Sequence, residues 1–294
     1  MSKTAWVFPG QGSQEVGMGQ DLFALPAAGD RLQQAQEILG WSVVDICQSP
    51  DDKVSNTRYT QPCLYVVESL LVDQLRERGD RPDLVAGHSL GEYTALYAAG
   101  VFDFEAGLRL VQRRAELMSQ ASEGVMAAVI GFDPEQLGQL IEQTDGVVLA
   151  NDNSAAQVVI SGTLEAVDAV LASLKAKRKV KLNVSGAFHS PLMAAAAADF
   201  EALLATVPFQ DAQVPVLSNV DPTPAIAPTA LKDRLTQQMT GSVRWREISL
   251  QLETSGIQRV VEVGPGKVLT GLIKRTCPGL QLQNVSSMAN LAEG

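Results

Sequence analysis

Short apolar runs that end in glycine-rich turns recur along this chain of 294 residues. The segment "PDLVAGHSLGEYTALYAAG" passes from an apolar run over 84–86 through a tight turn into an alanine-rich stretch that ends at Gly100. The plan begins in "TAWVFPGQGSQ" and is repeated in "GIQRVVEVGPGKVLTGLIKR", which follows a predicted helix over 245–255. Strands that alternate with helices are typical of a mostly parallel sheet covered on both faces. The sequence therefore predicts an α/β fold.

The middle of the chain follows a different order of elements. From Gly124 onward the apolar patterns predict strand, helix, strand, strand, helix and strand, at 125–132, 134–143, 147–151, 157–162, 164–179 and 180–185. This βαββαβ order is that of a ferredoxin-like unit. We therefore predict a large α/β domain over 1–123 and 189–294, interrupted by a ferredoxin-like small domain over 124–188.

Charge and composition narrow the possible partners. A net charge of −10 repels nucleic acid and anionic membranes at long range, so we expect neither as a partner. The chain has no apolar run of the roughly 18 to 20 residues that a membrane-spanning helix needs, and its first residues enter a predicted strand without a secretion signal. This pattern predicts a cytoplasmic protein. The three cysteines are odd in number and widely spaced, which predicts buried thiols and neither a disulfide framework nor a metal site.

The sequence "GHSLG" places Ser89 in the pattern Gly-x-Ser-x-Gly. The pattern alone is weak evidence, because glycine and serine are both common in this chain. Its context is stronger, since a predicted strand precedes the serine and a predicted helix follows it, as in a nucleophile elbow. The alternative is a glycine-lined turn in which the serine caps the helix. Ser89 is therefore a candidate nucleophile.

A serine nucleophile needs a general base within hydrogen-bond reach, and the chain has two histidines. His88 is adjacent to Ser89, and neighbouring side chains in such a turn point in different directions. His189 lies where the small domain is predicted to rejoin the large one, a junction that can form the wall of a cleft. The alternative is a histidine that only makes structural hydrogen bonds at a domain junction. We identify His189 as the candidate base.

The predicted helix "GLRLVQRRAELMSQ" places an arginine on its apolar face. On a helix, Arg114 has Leu110, Val111, Leu117 and Met118 as its neighbours three and four residues away. A buried arginine needs an anionic partner. That partner is either an internal Asp or Glu, in a structural ion pair, or a carboxylate that arrives with the substrate.

Five motifs together resemble the malonyl-CoA:acyl carrier protein transacylases: "FPGQGSQ", "GHSLGEY", "QRRAELM", "GAFHSP" and "VEVGPGKVLTGL". They occur in the family's order and span essentially the whole chain. The resemblance implies an α/β-hydrolase-like large domain with a ferredoxin-like insert, in agreement with the pattern above. It also implies transfer of a malonyl group from malonyl-CoA to the phosphopantetheine thiol of acyl carrier protein, for fatty acid synthesis.

The resemblance assigns roles to the candidate residues. Ser89 matches the serine that becomes acylated, His189 its base, and Arg114 the arginine that pairs with the malonyl carboxylate. The backbone N–H groups of Gln11 and Leu90 match the oxyanion hole. The family's chemistry uses no metal and no cofactor, with malonyl-CoA as substrate and CoA as product.

Family members orient the catalytic histidine with a backbone carbonyl in a segment that resembles "SVRWRE", where Arg244 is the nearest match.

Three alternative functions stay open: the malonyl transferase subunit of a malonate decarboxylase, a serine esterase or thioesterase, and a non-catalytic module that docks carrier protein. We expect a monomer.

The run "KAKRKVK" contrasts with the acidic composition of the chain. Its basic residues are Lys175, Lys177, Arg178, Lys179 and Lys181. Acyl carrier proteins are acidic, so a local basic surface would guide the association of two net-negative proteins. The alternative is a solvated helix end, where basic side chains interact favourably with the helix dipole.

Overall fold

The computed structural model describes residues 2–292, so Met1, Glu293 and Gly294, which the predicted domain limits include, lie outside the described residues. The strands are β1 (Thr4–Phe8), β2 (Leu84–Gly87), β3 (Val125–Phe132), β4 (Val147–Ser154), β5 (Gln157–Gly162), β6 (Ala176–Lys181), β7 (Val216–Leu217), β8 (Arg259–Val263) and β9 (Gln281–Val285).

The helices lie between and around these strands. They are α1 (Gln20–Phe23), α2 (Gly29–Leu39), α3 (Val43–Cys47), α4 (Thr57–Glu77), α5 (Gly91–Ala98), α6 (Phe104–Gln120), α7 (Pro134–Glu142), α8 (Leu164–Ser173), α9 (Ala194–Thr206), α10 (Pro228–Gln237), α11 (Trp245–Thr254), α12 (Val268–Thr276) and α13 (Met288–Ala292), with 3-10 turns at Pro26–Ala28, Lys53–Ser55 and Pro191–Met193. Within residues 2–292, no helix is both long and apolar enough to cross a membrane.

The strands form two sheets. Strands β7, β2, β1, β8 and β9 lie side by side in that order, and every pairing among them is parallel. Strands β4, β5, β3 and β6 form a second, antiparallel sheet in that order. The predicted α/β fold with a mostly parallel sheet is confirmed, and the middle segment forms a separate antiparallel sheet.

Strand β1 lies at the centre of the parallel sheet and is buried on both faces. Trp6 and Phe8 pack in one hydrophobic cluster, whereas Ala5 and Val7 pack in another on the opposite face. Successive side chains of a strand point to opposite faces, so a continuous apolar run is what a doubly covered strand requires. Because β1 and β2 are parallel neighbours, the loops that follow them emerge next to each other at the same end of the sheet.

The helix predicted over 164–179 is too long, and the strand predicted at 180–185 lies earlier, at Ala176–Lys181. Helix α8 ends at Ser173, and the basic run forms strand β6, which pairs with β3 at the edge of the antiparallel sheet. Lysine and arginine favour helices weakly, but charged side chains also protect an exposed edge strand from pairing with other chains. Tertiary pairing with β3 therefore overrides the local helix preference.

Two basic side chains of β6 are held by helix α8. Lys179 Nζ donates to the carbonyl oxygens of Leu171 and Leu174, 2.6 and 3.0 Å away, at the C-terminal end of α8. Lys181 Nζ pairs with Asp168 at 2.7 Å. The predicted interaction of basic residues with a helix end thus exists for Lys179, but it is made across space from a neighbouring strand.

Glycines allow the chain to pass closely at the turn after β2. A Cβ on Gly87 would overlap the backbone of Gly91, and a Cβ on Gly91 would overlap the carbonyl oxygen of Phe8. Backbone atoms cannot rotate away as a flexible side chain can. The β2–α5 turn and the end of β1 therefore pack against each other only while these positions lack a side chain.

We expect Gly91→Ala to destabilise the protein by about 1 to 3 kcal/mol, because the added methyl group meets backbone atoms. For a large domain this lowers the melting temperature by roughly 2 to 4 °C per kcal/mol. The matched control is Gly138→Ala in α7, where a Cβ would meet nothing within 4 Å. That change is expected to leave the melting temperature unchanged or raise it slightly. Equal melting temperatures for the two variants would contradict the packing argument.

Candidate active site

Ser89 occupies the sharp turn between β2 and α5. Its φ of 51° lies in the left-handed region that non-glycine residues rarely adopt. Two side chains from distant segments hold its backbone: Asn219 Oδ1 accepts from the Ser89 N–H at 2.7 Å, and Gln238 Nε2 donates to the Ser89 carbonyl oxygen at 2.8 Å. The turn presents the Ser89 hydroxyl to the space beyond the end of the parallel sheet.

His189 lies against Ser89 as the sequence predicts. Its Nε2 is 2.8 Å from Ser89 Oγ, while its Nδ1 lies 3.0 Å from the carbonyl oxygen of Gln238 and 3.1 Å from that of Gly241. Both Nδ1 partners are acceptors, so Nδ1 carries the proton and Nε2 presents its lone pair to the serine hydroxyl. The pair can pass a proton from Ser89 to His189.

The surroundings keep His189 neutral. Burial lowers the pKa of His189 to about 3, and the nearby positive charge of Arg114 acts in the same direction. A neutral imidazole is the form that accepts a proton. The electrostatics of these protein groups therefore favour the base form of His189 across the neutral pH range.

Arg244 does not orient His189, which corrects the sequence-based assignment. Arg244 precedes helix α11, and its carbonyl oxygen accepts the N–H of Ile248 at 3.0 Å in the first helical turn. The carbonyl groups at His189 Nδ1 belong instead to Gln238 and Gly241, in the segment just before. Arg244 follows Gly241 by only a few residues, but its carbonyl oxygen is already hydrogen-bonded within the first turn of helix α11.

Arg114 is buried beside Ser89, although no acidic residue in the described part of the chain binds it. Nη1 donates to Gln61 Oε1 at 2.7 Å, and Nη2 donates to Ser89 Oγ at 3.0 Å and to Gln238 Oε1 at 3.2 Å. Nε has no hydrogen-bond partner, and among residues 2–292 Arg114 forms no ion pair with an Asp or Glu. The structural ion pair considered above is therefore absent from the described part of the chain.

Gln11 and Leu90 bring free backbone N–H groups to the same place. Within the described residues neither N–H has a hydrogen-bond acceptor. The two segments approach closely, because a Cβ on Gly10 would overlap the carbonyl oxygen of His88 and lie 3.6 Å from the Leu90 nitrogen. Two unpaired donors beside a serine hydroxyl can hold the negative oxygen of a tetrahedral intermediate.

His88 points away from Ser89. Its Nε2 lies 2.8 Å from Asn153 Oδ1 on strand β4, and its ring lies 5.5 Å from that of Trp245. The ring thus connects the serine turn to the antiparallel sheet. The structure therefore brings His189, and not His88, to the serine hydroxyl.

A cleft of about 230 Å³ opens over these groups between the two sheets. One wall is apolar and includes Met126 and Val159 of the antiparallel sheet, with Val268 and Leu272 of α12 nearby. The polar residues that line the cleft include Ser89, His189, Arg114, Gln11, His88 and Gln61. A narrow, mostly apolar cleft with a few convergent polar groups is typical of a small-molecule site.

Sequence reasoning missed four polar residues of this site: Gln61, Glu92, Asn219 and Gln238, all of which are buried. Glu92 stands in the mostly apolar helix α5, and Gln61 directly precedes an apolar run of α4, and this is the signal that could have drawn attention to them. Asn219 and Gln238 lie in loops or at a helix end without a recognisable motif. Their positions depend on tertiary packing, which periodicity does not report.

The five basic side chains of the run on and before β6 are all exposed. Lys179 and Lys181 are engaged with α8 as described above. Within the described chain, the side chains of Lys175, Lys177 and Arg178 make no hydrogen bond or ion pair. Three positive charges therefore face solvent from this edge of the antiparallel sheet.

A sequence profile of the acyl transferase domain matches residues 5–292. The chain is 58% identical over 289 residues to the malonyl CoA-acyl carrier protein transacylase of Synechocystis, covering 98% of this chain and 99% of the relative. The crystal structure of the Synechocystis malonyl-CoA:ACP transacylase has a TM-score of 0.98 and covers 99% of this chain and 100% of the other.

A second solved structure is a complex of a type II polyketide synthase acyl carrier protein with its malonyl-transacylase. It is 38% identical, has a TM-score of 0.93 and covers 99% of this chain and 98% of the other. Identity above 30% over nearly the full length of both chains, together with the matching domain profile, establishes the relationship. The chain belongs to the acyl transferase domain family and, within it, to the malonyl-CoA:acyl carrier protein transacylases.

Proposed function

We propose that this protein transfers the malonyl group of malonyl-CoA to the phosphopantetheine thiol of acyl carrier protein, through a malonyl ester of Ser89. The observation that carries the proposal is the buried Arg114, which forms no ion pair with an acidic residue among residues 2–292 and lies 3.0 Å from the Ser89 hydroxyl. Its charge is left for a carboxylate that arrives with the substrate. Relatives that act as malonyl-CoA:acyl carrier protein transacylases support this substrate.

In the first half-reaction, His189 Nε2 takes the proton of the Ser89 hydroxyl as Oγ attacks the thioester carbonyl. The N–H groups of Gln11 and Leu90 hold the oxygen that becomes negative in the tetrahedral intermediate. The carbon–sulfur bond then breaks, and the CoA thiolate leaves with the proton from His189. A malonyl-Ser89 ester and free CoA result.

The second half-reaction reverses these roles on a different thiol. The phosphopantetheine thiol of acyl carrier protein gives its proton to His189, and the thiolate attacks the ester carbonyl. The bond to Ser89 Oγ breaks, and the proton returns from His189 to the serine. The carbonyls of Gln238 and Gly241 keep the Nδ1 proton in place throughout, so that Nε2 alone exchanges protons.

The alternatives differ in what they require of the site. A thioesterase would admit water to the ester and would release malonate from malonyl-CoA without carrier protein. A docking module would have no use for a serine and a histidine in hydrogen-bond contact. The malonyl transferase of a malonate decarboxylase shares the chemistry, but the named relatives act with acyl carrier protein. A role in fatty acid synthesis is accordingly the function we propose.

Several further features belong to this proposal. The strand order β4-β5-β3-β6 and the βαββαβ sequence of elements support a ferredoxin-like small domain at 124–188, inserted in an α/β-hydrolase-like large domain. Docking of the acidic carrier protein on the edge strand β6 stays a prediction. Because Lys179 and Lys181 are engaged with α8, it now rests on Lys175, Lys177 and Arg178. A cytoplasmic location, a monomeric state and independence from metals and cofactors also stay predictions.

The direct test of the proposed function is the intact mass of the protein after mixing with malonyl-CoA. We expect the wild type to gain one malonyl group that maps to Ser89, and Ser89→Ala to gain none while it melts normally. An adduct of undiminished yield on Ser89→Ala would remove Ser89 from the mechanism. Rapid release of malonate by the wild type without carrier protein would instead favour the thioesterase.

We expect His189→Ala to slow acylation by about 10² to 10⁴-fold, the range typical of a lost general base. His88→Ala is the matched control and should retain most of the rate, because His88 contacts Asn153 and not the serine.

The folded pKa of His189 is lowered to about 3, so its base form persists as the pH falls. The second-order rate constant of acylation, measured far below saturation with malonyl-CoA, reports the free enzyme and should therefore stay flat from about pH 7.5 to about pH 5. A fall with a midpoint near the ordinary histidine pKa would contradict this assignment.

We expect Arg114→Ala to reduce malonyl transfer by roughly 30-fold to a few thousand-fold, because the malonyl carboxylate loses its partner in a desolvated site. Acetyl-CoA carries no such carboxylate, so its transfer should improve relative to malonyl-CoA. The measurement is the ratio of acetyl to malonyl transfer, with a thermal melt alongside. An unchanged ratio together with a large loss of stability would show a structural role for Arg114.

A further inference from the structure

Within residues 2–292, the guanidinium of Arg114 makes direct hydrogen bonds only to neutral groups. Its hydrogen-bond acceptors are the side-chain oxygens of Gln61, Gln238 and Ser89, and the ring of Tyr93 lies 5.4 Å from its guanidinium carbon. A fully buried guanidinium is ordinarily paired with a carboxylate, since the unpaired charge is costly. Here two amides occupy the positions where that carboxylate would lie.

Further contacts orient both amides. Gln61 and Gln238 are buried. Gln238 Nε2 donates to the Ser89 carbonyl oxygen and to Glu92 Oε2, each at 2.8 Å, so its Oε1 is turned towards Arg114. Gln61 Nε2 lies 3.3 Å from the thioether sulfur of Met118, a weak acceptor, and its Oε1 faces Arg114. The surrounding packing thus presents an oxygen of each amide to the guanidinium.

Glu92 supplies a carboxyl group in this network, but it does not contact Arg114 directly. The side chain of Gln238 lies between them, accepting from Arg114 Nη2 through Oε1 and donating to Glu92 Oε2 through Nε2. Burial raises the pKa of Glu92, whereas its hydrogen bonds and the charge of Arg114 act in the opposite direction. An amide in this position transmits a hydrogen bond without bringing two opposite charges into contact.

We propose that Gln61 and Gln238 determine the specificity for a carboxylate-bearing acyl group, because they hold Arg114 in place without neutralising it. This inference rests on the proposed function and concerns the same site. With a carboxylate at either position, the guanidinium would form an internal ion pair, and the malonyl carboxylate would enter a site without free positive charge. With an amide, Arg114 gains an ionic partner when malonyl-CoA binds, so binding energy depends on the charge of the acyl group.

Gln61→Glu tests the inference with nearly no change in shape. The new carboxylate would replace an amide oxygen that already lies 2.7 Å from Arg114 Nη1. We expect kcat/KM for malonyl-CoA to fall by at least about 30-fold, the lower end of the range for loss of a desolvated charge pair, while transfer from acetyl-CoA falls much less. The ratio of acetyl to malonyl transfer should therefore rise, and the melting temperature should hold or increase.

Two controls separate charge from other effects. Gln61→Met removes the hydrogen bond but adds no charge, and we expect both substrates to be affected alike, with the acetyl-to-malonyl ratio near that of the wild type. Gln120→Glu adds the same net charge at an exposed position of α6, the helix that carries Arg114, and should leave both rates unchanged.

Three outcomes would overturn the inference. They are an unchanged ratio in Gln61→Glu, an equal shift in Gln61→Glu and Gln61→Met, or a fall in both rates that follows a lowered melting temperature. Formation of malonyl-Ser89 by the wild type is measured in the same series, so a failure of the proposed function would be visible independently. If the wild type forms this ester and Gln61→Glu keeps the wild-type ratio, the function stands and the role of the glutamines does not.

Discussion

The strained turn at Ser89 is the constraint on which the rest of the site depends. A serine with φ of 51° costs on the order of 1 to 3 kcal/mol, and such a conformation persists only where its surroundings determine it. Here the surroundings are the glycines that let β1, β2 and α5 pass in close contact, and the side chains of Asn219 and Gln238 that bind the Ser89 N–H and carbonyl oxygen. The contacts of Asn219 and Gln238 reach across more than a hundred residues of sequence, so the turn acquires its shape only when the large parallel sheet and its later loops are in place.

The base, His189, is likewise held by distant segments, and it lies at the junction of the two sheets. His189 follows the antiparallel sheet, also has a positive φ, at 56°, and takes both of its Nδ1 acceptors from the segment after α10. That segment is itself attached to the antiparallel sheet, because Val243 exchanges backbone hydrogen bonds with Ala150 and Asp152 at 2.8 and 2.9 Å. The serine belongs to one sheet and the histidine to the connection between both. A fixed distance between them therefore requires that the two sheets keep their relative position, which the contact of His88 with Asn153 also supports.

Much of this arrangement could be predicted from the sequence, and the failures have physical causes. Local patterns located the strand, turn and helix around Ser89, because glycine spacing and apolar runs report backbone geometry directly. Helical spacing alone placed Arg114 on a buried face, and elimination between two histidines identified His189 as the candidate base. The basic run was misassigned because pairing with β3 overrides helix preference, and Arg244 because a carbonyl's partner depends on where the next helix begins. Gln61, Asn219 and Gln238 were missed because nothing in their neighbouring sequence records the distant groups that they bind.

The charge that selects the substrate also affects the base. Burial and, after it, the charge of Arg114 lower the pKa of His189, which keeps the imidazole neutral but makes it a weak proton acceptor before substrate binds. On the proposed function, the malonyl carboxylate would neutralise the guanidinium, and the repulsion between Arg114 and a protonated His189 would fall. With that repulsion reduced, the pKa of His189 would rise from its low value, and His189 would become a stronger proton acceptor. A neutral acyl group would leave Arg114 unpaired and the base weak. Discrimination would then operate on proton transfer as well as on binding, and both effects would originate from the buried guanidinium of Arg114, which forms no ion pair within residues 2–292.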